Sequence, residues 1–216
     1  MNKVYIIAIA GPSCAGKTEL SKRLATELGC PVLLLDSYYR DLSHLSPAER
    51  ARVNFDEPSA LDEKLLIDQV HALSRGETVL RPIYDFATHT RILNTDNFTA
   101  FEFLIIEGLF ALYWPELRQL AGTKVFVNAS DDTCLRRRVT RDVVERGRTA
   151  ESVISQFHQT VQPMATLYVR STSSYADLVL FGEQPISKSV ATVLAHVLRN
   201  STPPDLRTPD FVEALV

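Results

Sequence analysis

Short apolar runs alternate with amphipathic stretches along most of the chain. Val4–Ala10, Val32–Leu35, Val79–Tyr84, Phe101–Ile106, Lys124–Asn128 and Asp177–Phe181 read as strands. Between them, Leu20, Leu24 and Leu28 fall on one helical face and predict a helix over Lys17–Leu28, ended by Gly29. A second helix is expected over Ser59–Arg75, opened by a Ser59-x-x-Asp62 cap and closed at Gly76. A third, rich in arginine, covers Asp132–Glu145. A fourth covers Glu151–Val169 with a kink or break at Pro163, and a fifth covers Ser187–Leu198. This alternation predicts an α/β fold: a mostly parallel sheet with helices on both faces.

The chain has 216 residues, 45% of them hydrophobic, enough for one sizeable core. Residues 1–200 are expected to form one domain. Residues 201–216, with three prolines, read as an extension beyond it. The apolar run Val4–Ala10 is too short for a signal peptide and leads straight into a glycine motif, so it reads as a buried strand. No uninterrupted apolar stretch is long enough for a membrane helix. Three cysteines without a CxxC pair argue against a disulfide framework or a zinc site and suit the cytosol. The net charge of −3 favours neither nucleic acid nor an anionic membrane as a partner.

The segment Gly11-Pro12-Ser13-Cys14-Ala15-Gly16-Lys17-Thr18 fits G-x-x-x-x-G-K-[ST]. Such a loop turns tightly, so that successive backbone N–H groups face phosphate oxygens, and the following helix presents its positive end to the same anion. Lys17 can reach the β- and γ-phosphates, and the Thr18 hydroxyl can hold Mg²⁺. The motif sits between an apolar strand and a leucine-faced helix, which is the context it requires. Cys14 reads as a small loop residue.

Two acids end apolar runs: Asp36 follows Val-Leu-Leu-Leu, and Glu107 follows Phe-Leu-Ile-Ile. Ligands of open α/β sheets sit beyond the carboxyl ends of the strands. Either acid could therefore bind Mg²⁺ or accept a proton from an attacking hydroxyl. Six arginines fall between Arg136 and Arg148, with Arg138 and Arg141 on one helix face. Arginines near a moving phosphoryl group stabilise its charge, and a basic lid over about 132–170 would also exclude water. Arg136 and Arg137 instead fit a solvated surface, with Asp131, Asp132, Asp142 and Glu145 as surface partners. Residues and spacing alone thus point to a P-loop NTPase fold and a phosphotransferase with an arginine-rich lid, using a nucleoside triphosphate and Mg²⁺.

Several blocks together resemble the uridine–cytidine kinase family of P-loop nucleoside kinases. They are Asp36-Ser-Tyr-Tyr-Arg40, Asn54-Phe-Asp-Glu-Pro58, Tyr84-Asp-Phe-Ala-Thr-His-Thr-Arg91, Ile105-Ile-Glu-Gly-Leu109, Arg141-Asp-Val-Val-Glu-Arg-Gly-Arg148 and Tyr175-Ala-Asp177. The resemblance implies transfer of the γ-phosphate of ATP or GTP to the 5′-hydroxyl of uridine or cytidine. It implies that Asp36 is the general base, with Lys17, Arg141 and Arg146 on the phosphates. Thr18, Asp36 and Glu107 would serve Mg²⁺. Tyr39, Phe55, Asp56, Tyr84, His89, Arg138, Arg148 and Gln156 would contact the nucleoside, Asp56 at the ribose and Tyr84 and His89 at the base. It also implies a homo-oligomer, usually a tetramer.

The chain departs from the family pattern at Glu57, at Asn128, at Arg170-Ser171 and at Phe181-Gly-Glu-Gln-Pro185, the last near the expected adenine site. The donor base therefore stays open. Two alternatives are a phosphoribulokinase-like small-molecule kinase and a nucleotide-binding module with little turnover. Asp36, Glu107 and the lid arginines argue against the module. So does the lack of an Asn-Lys-x-Asp guanine-reading motif after any strand.

Overall fold

A computed structural model describes residues 3–201. Its elements run β1 (Tyr5–Ala10), α1 (Lys17–Leu28), β2 (Val32–Leu34), α2 (Pro47–Arg50) and α3 (Glu63–Ser74). β3 (Val79–Asp85), β4 (Thr90–Phe98), β5 (Phe103–Glu107), α4 (Pro115–Leu120) and β6 (Ala121–Asn128) follow. The rest comprises α5 (Asp131–Arg146), α6 (Ala150–Gln156), α7 (Gln162–Met164), β7 (Leu178–Phe181) and α8 (Ile186–Asn200).

Five strands form a wholly parallel sheet in the order β2-β5-β1-β6-β7. Its central strand, β1, shows why. Alternate side chains enter opposite cores: Ile6, Ala8 and Ala10 on one face, Ile7 and Ile9 on the other. A strand buried on both faces reads as a continuous apolar run, and helices must cover both sides. Leu66, Val70 and Leu73 of α3 and Leu117 of α4 cover the first face; Leu20 and Leu24 of α1 and Val193 and Val197 of α8 cover the second.

Some elements differ from the sequence expectation. Val79–Tyr84 is a strand, but it pairs antiparallel with β4 in a separate hairpin. β4 has no apolar alternation because most of its residues are exposed. The second helix begins at Glu63, where the Asp62 side chain accepts from the Leu65 amide; Ser59 lies in a separate 3₁₀ turn, Pro58–Ala60. Pro163 does not break the fourth helix. Wider π turns at Phe157–Val161 and Ala165–Val169 flank it, and they accommodate a residue without an N–H. The short helices α2 and α4 have no counterpart in the sequence expectation. The proline-rich extension, apart from Ser201, lies outside the described residues.

At the carboxyl edge of the sheet, two glycines let backbones meet. A Cβ on Gly11 would stand 2.1 Å from the Val127 carbonyl oxygen, and one on Gly182 would stand 1.9 Å from that of Ala15. Gly11 leaves β1 and Gly182 follows β7, so the two contacts close the floor of the phosphate-binding loop. Gly29 is different: a Cβ there meets nothing, and only its φ of +59° is strained for other residues. Gly182→Ala should therefore lower the melting temperature by several degrees, from about 1–3 kcal/mol of overpacking. Gly29→Ala should cost about 1–2 kcal/mol. Thermal unfolding of both variants checks this, and the loop's nucleotide affinity should fall only for Gly182→Ala.

Candidate active site

The glycine-rich loop spans the gap between β1 and α1. Gly16 occupies the position before α1 with φ of 112°, a left-handed conformation that favours glycine. Lys17 is buried, and its Nζ donates to the Pro12 carbonyl at 2.9 Å, so the side chain folds back across the loop. The Thr18 hydroxyl donates to Glu107 Oε2 at 3.1 Å. That bond ties the start of α1 to the end of β5, where the apolar run of β5 stops. Asp36 stands just beyond β2, in a 3₁₀ turn over Leu35–Tyr38.

These groups open onto one cleft of about 980 Å³. Ser13, Cys14, Lys17, Thr18, Asp36 and Glu107 line it. Tyr39, Phe55, Asp56, Tyr84, Phe86 and His89 also line it, as do Arg138, Arg141, Arg146, Arg148 and Gln156. Every residue expected to contact a nucleoside thus faces the same cavity as the loop lysine. Gly11, Pro12, Ala15 and Gly16 form the loop's backbone without lining the cavity themselves.

The aromatic end is a packed box. Tyr39 meets Phe55, Tyr84 and Phe86 with ring centroids 5.2, 5.3 and 6.5 Å away. Its hydroxyl donates to the Phe55 carbonyl at 3.2 Å. His89 stacks on Phe55 at 4.8 Å with 21° between the planes. His89 (φ 55°) and Cys14 (φ 64°) are the non-glycine residues with positive φ among the described residues, and both line the cleft. Strained backbone of this kind tends to gather at functional sites. The Tyr84 hydroxyl is buried without a hydrogen-bond partner. A buried group of that kind takes its partner from a ligand or water.

The electrostatics are uneven. Burial, with Glu107 facing it, raises the Asp36 carboxyl to about 6; Lys17, Arg146 and Arg141 pull it back. Burial raises Asp56 too, against the pull of Arg138. His89 is lowered by burial and by Arg146 and Arg50, so its ring is neutral near pH 7. Two carboxylates facing each other in a partly dry site are unfavourable unless one is protonated or a cation joins them. No group of three or more His, Cys, Asp or Glu ligands is gathered among the described residues. A magnesium ion that arrives with substrate phosphates needs only one or two carboxylates and a hydroxyl, and Thr18, Asp36 and Glu107 meet that requirement.

The chain belongs to the phosphoribulokinase/uridine kinase family. The family model matches residues 6–185. A uridine kinase from Shewanella amazonensis is 42% identical over 182 residues, covering 81% of this chain and 86% of that protein. One from Vibrio parahaemolyticus is 42% identical over 186 residues, covering 83% and 87%. Among solved structures, phosphoribulokinase from Rhodobacter spheroides superposes with a TM-score of 0.62 at 16% identity, over 85% of this chain and 74% of that one. D-glycerate 3-kinase from Cryptococcus neoformans gives 0.55 at 16%, over 78% and 80%. At such identities the structural matches speak for the fold alone, and they agree with the parallel P-loop architecture.

Within this family fold, four residues take places that the sequence did not reveal. Arg137 is not a solvated surface arginine. It donates to the Cys14, Ala15 and Gly182 carbonyls at 3.3, 3.2 and 2.8 Å, clasping the glycine loop from behind; Arg136 is exposed as expected. Asp142 is not a surface partner but fully buried among arginines. Arg91 donates to the Tyr39 and Tyr38 carbonyls and to Asp62, pinning the β3–β4 hairpin to the turn that carries Asp36. Phe86 completes the aromatic box. The fixed spacing of Phe86, His89 and Arg91 in one block was the available signal for two of these. Asn128 and Arg170, both departures from the family pattern, pair with each other: Arg170 Nη1 donates to Asn128 Oδ1 at 3.0 Å, and Arg170 also binds Asp131.

A carbon-detected NMR titration of the ligand-free protein should place the Asp36 carboxyl midpoint near pH 6. Glu107→Gln removes a like charge and should move it down; Lys17→Met removes the opposing cation and should move it up. A midpoint insensitive to both substitutions would contradict the electrostatics described above.

Proposed function

We propose that this chain is a uridine kinase that also accepts cytidine, transferring the γ-phosphate of ATP or GTP to the nucleoside 5′-hydroxyl and yielding UMP or CMP. The observation that carries the reading is one cleft lined jointly by Lys17 and Thr18 of the glycine loop, by Asp36 and by the aromatic box.

Each part then has a task. The loop amides and Lys17 hold the triphosphate, and the positive end of α1 adds to their field. Thr18, Glu107 and Asp36 would hold Mg²⁺. When bound, that ion neutralises charge on the β- and γ-phosphates. Asp36 takes the proton from the 5′-hydroxyl as its oxygen bonds to the γ-phosphorus. The bond from that phosphorus to the bridging oxygen breaks, and the nucleoside diphosphate leaves with the electron pair. Arg141 and Arg146 meet the charge on the transferring group.

The acceptor's other features match the box. Asp56 accepts from the ribose hydroxyls, with Arg138, Arg148 and Gln156 beside it. The base enters the aromatic box against Tyr39, Phe55 and Tyr84. Neutral His89 has one donor and one acceptor nitrogen, so ring rotation or tautomer change suits either the uracil carbonyl or the cytosine amine. The arm over about 132–170, from α5 to the end of the π turns, acts as the lid of a kinase domain spanning 1–200. A phosphoribulokinase-like acceptor would leave the aromatic box without a partner.

Coupled ADP release tests this with uridine, cytidine, adenosine, ribulose 5-phosphate and no acceptor. Uridine and cytidine should each stimulate release. Stimulation by the sugar phosphate alone would replace the reading, and cytidine alone would remove the role given to His89. Asp36→Asn should bind ATP nearly as well as the parent while losing about two orders of magnitude or more in turnover. In the parent, kcat/KM should fall with one-proton slope as pH drops through about 6, because protonated Asp36 cannot act as a base. Near-normal turnover in the asparagine variant would take Asp36 out of the mechanism.

A further inference from the structure

The acids of α5 differ sharply in their surroundings. Asp132 and Glu145 are exposed and Asp131 is half-buried, but Asp142 is 0% exposed. An enclosed carboxylate is unfavourable unless cations compensate it. Here four guanidinium groups do so, all from residues that also line the cleft. Arg141 is the close partner, with Nε and Nη2 each 2.8 Å from Oδ1. Arg146 lies 3.5 Å from Oδ1, and Arg138 and Arg148 each lie 3.6 Å from Oδ2.

Local geometry explains the convergence. Arg138 and Arg146 stand four residues either side of Asp142, on its own helix face. Gly147 takes a left-handed φ of 62° and ends the helix, and the Arg148 amide donates back to the Asp142 carbonyl at 3.1 Å. That reversal returns the Arg148 side chain over the last turn, where it also donates to Gln156 Oε1 at 2.6 Å. Three of the four arginines sit at ion-pair distance from Asp142, not at hydrogen-bond distance. Charge tethers them to Asp142, while Arg138 also donates to Ser13 Oγ and Gln156 Oε1 and Arg148 also donates to the Ser152 carbonyl. Asp142 Oδ2 itself has no hydrogen-bond partner.

We propose that Asp142 is a positioning residue for phosphoryl transfer: its enclosed carboxylate gathers Arg138, Arg141, Arg146 and Arg148 at the cleft wall before substrate arrives. This rests on the kinase reading above. Arginine side chains have many rotamers, and binding would otherwise have to order all four. Held in advance, they present a fixed cationic wall to charge that develops during transfer. Without the carboxylate, four like charges repel with no anion between them, and only the neutral contacts of Arg138 and Arg148 to Ser13, Gln156 and Ser152 remain, so the wall loses its geometry while keeping its charge.

The test compares Asp142→Asn with the parent in turnover, ADP affinity by calorimetry and thermal unfolding. The substitution keeps the shape and removes the charge. Turnover should fall by roughly 10–100-fold, as expected when reacting groups are misplaced by about an ångström. ADP should bind as tightly as in the parent or more tightly, because no cation has been removed. Turnover within twofold of the parent would overturn the proposal. So would a loss of turnover matched by an equal loss of ADP affinity, which marks a collapsed arm. If the asparagine variant does not fold, Asp142→Glu decides, since it keeps the charge and shifts it by one methylene. A fall of about fivefold or more in turnover with unchanged ADP affinity is then expected, and unchanged turnover would overturn the proposal. Parent turnover with uridine tests the kinase reading separately; the ratio of variant to parent, taken with whichever acceptor the parent uses, tests this one.

Discussion

The site depends on close approach of bare backbone at the carboxyl edge of the sheet. Gly11 lies against Val127, and Gly182 lies against Ala15, each at a distance that no side chain could share. These contacts bring the strand that feeds the glycine loop together with the ends of β6 and β7. Arg137 then fastens the loop from behind through three carbonyl oxygens. Within the loop, the Ala15 amide donates to the Pro12 carbonyl at 3.2 Å, so the turn is closed from inside while Arg137 holds its carbonyls from outside.

Charge placement builds on that floor. Cations surround the cleft from the loop side, through Lys17, and from the arm, through its arginines. Acids sit at two strand ends, where the fold can hold them at fixed separation from the loop. Burial and the facing Glu107 raise the proton affinity of Asp36, and the nearby cations limit the effect. The result is a carboxyl at Asp36 that is largely ionised near neutral pH yet close to its titration range. Asp142 performs the complementary task for the arginines. An acid organises cations on the arm, while cations moderate the acids at the sheet.

Much of this was legible in the sequence, for physical reasons. The inner strands β1 and β5 are buried on both faces, so they appear as uninterrupted apolar runs. Asp36 and Glu107 were visible because each ends such a run. The glycine loop was visible because its chemistry demands particular residues at fixed spacing. β4 was not, because a hairpin strand exposed on both sides has no hydrophobic period. Arg137 and Asp142 were misplaced for another reason: on a helix dense in charge, composition does not show which face turns inward. Burial of Asp142 follows from the turn at Gly147 and the return of Arg148, which only the folded chain reveals. Pro163 looked like a helix break because a proline ring excludes the ordinary helical bond, whereas the wider turns around it accommodate the loss.

The central claim is one of relative position: a triphosphate on residues 11–18 must present its terminal phosphorus to a nucleoside hydroxyl beside Asp36. A crystal structure with a nonhydrolysable ATP analogue, Mg²⁺ and uridine measures it directly. The account predicts the phosphates on the loop amides, the base in the aromatic box and the 5′-oxygen within about 2.6–3.2 Å of an Asp36 oxygen. Triphosphate bound away from the glycine loop, or a ribose hydroxyl facing away from Asp36, would contradict it.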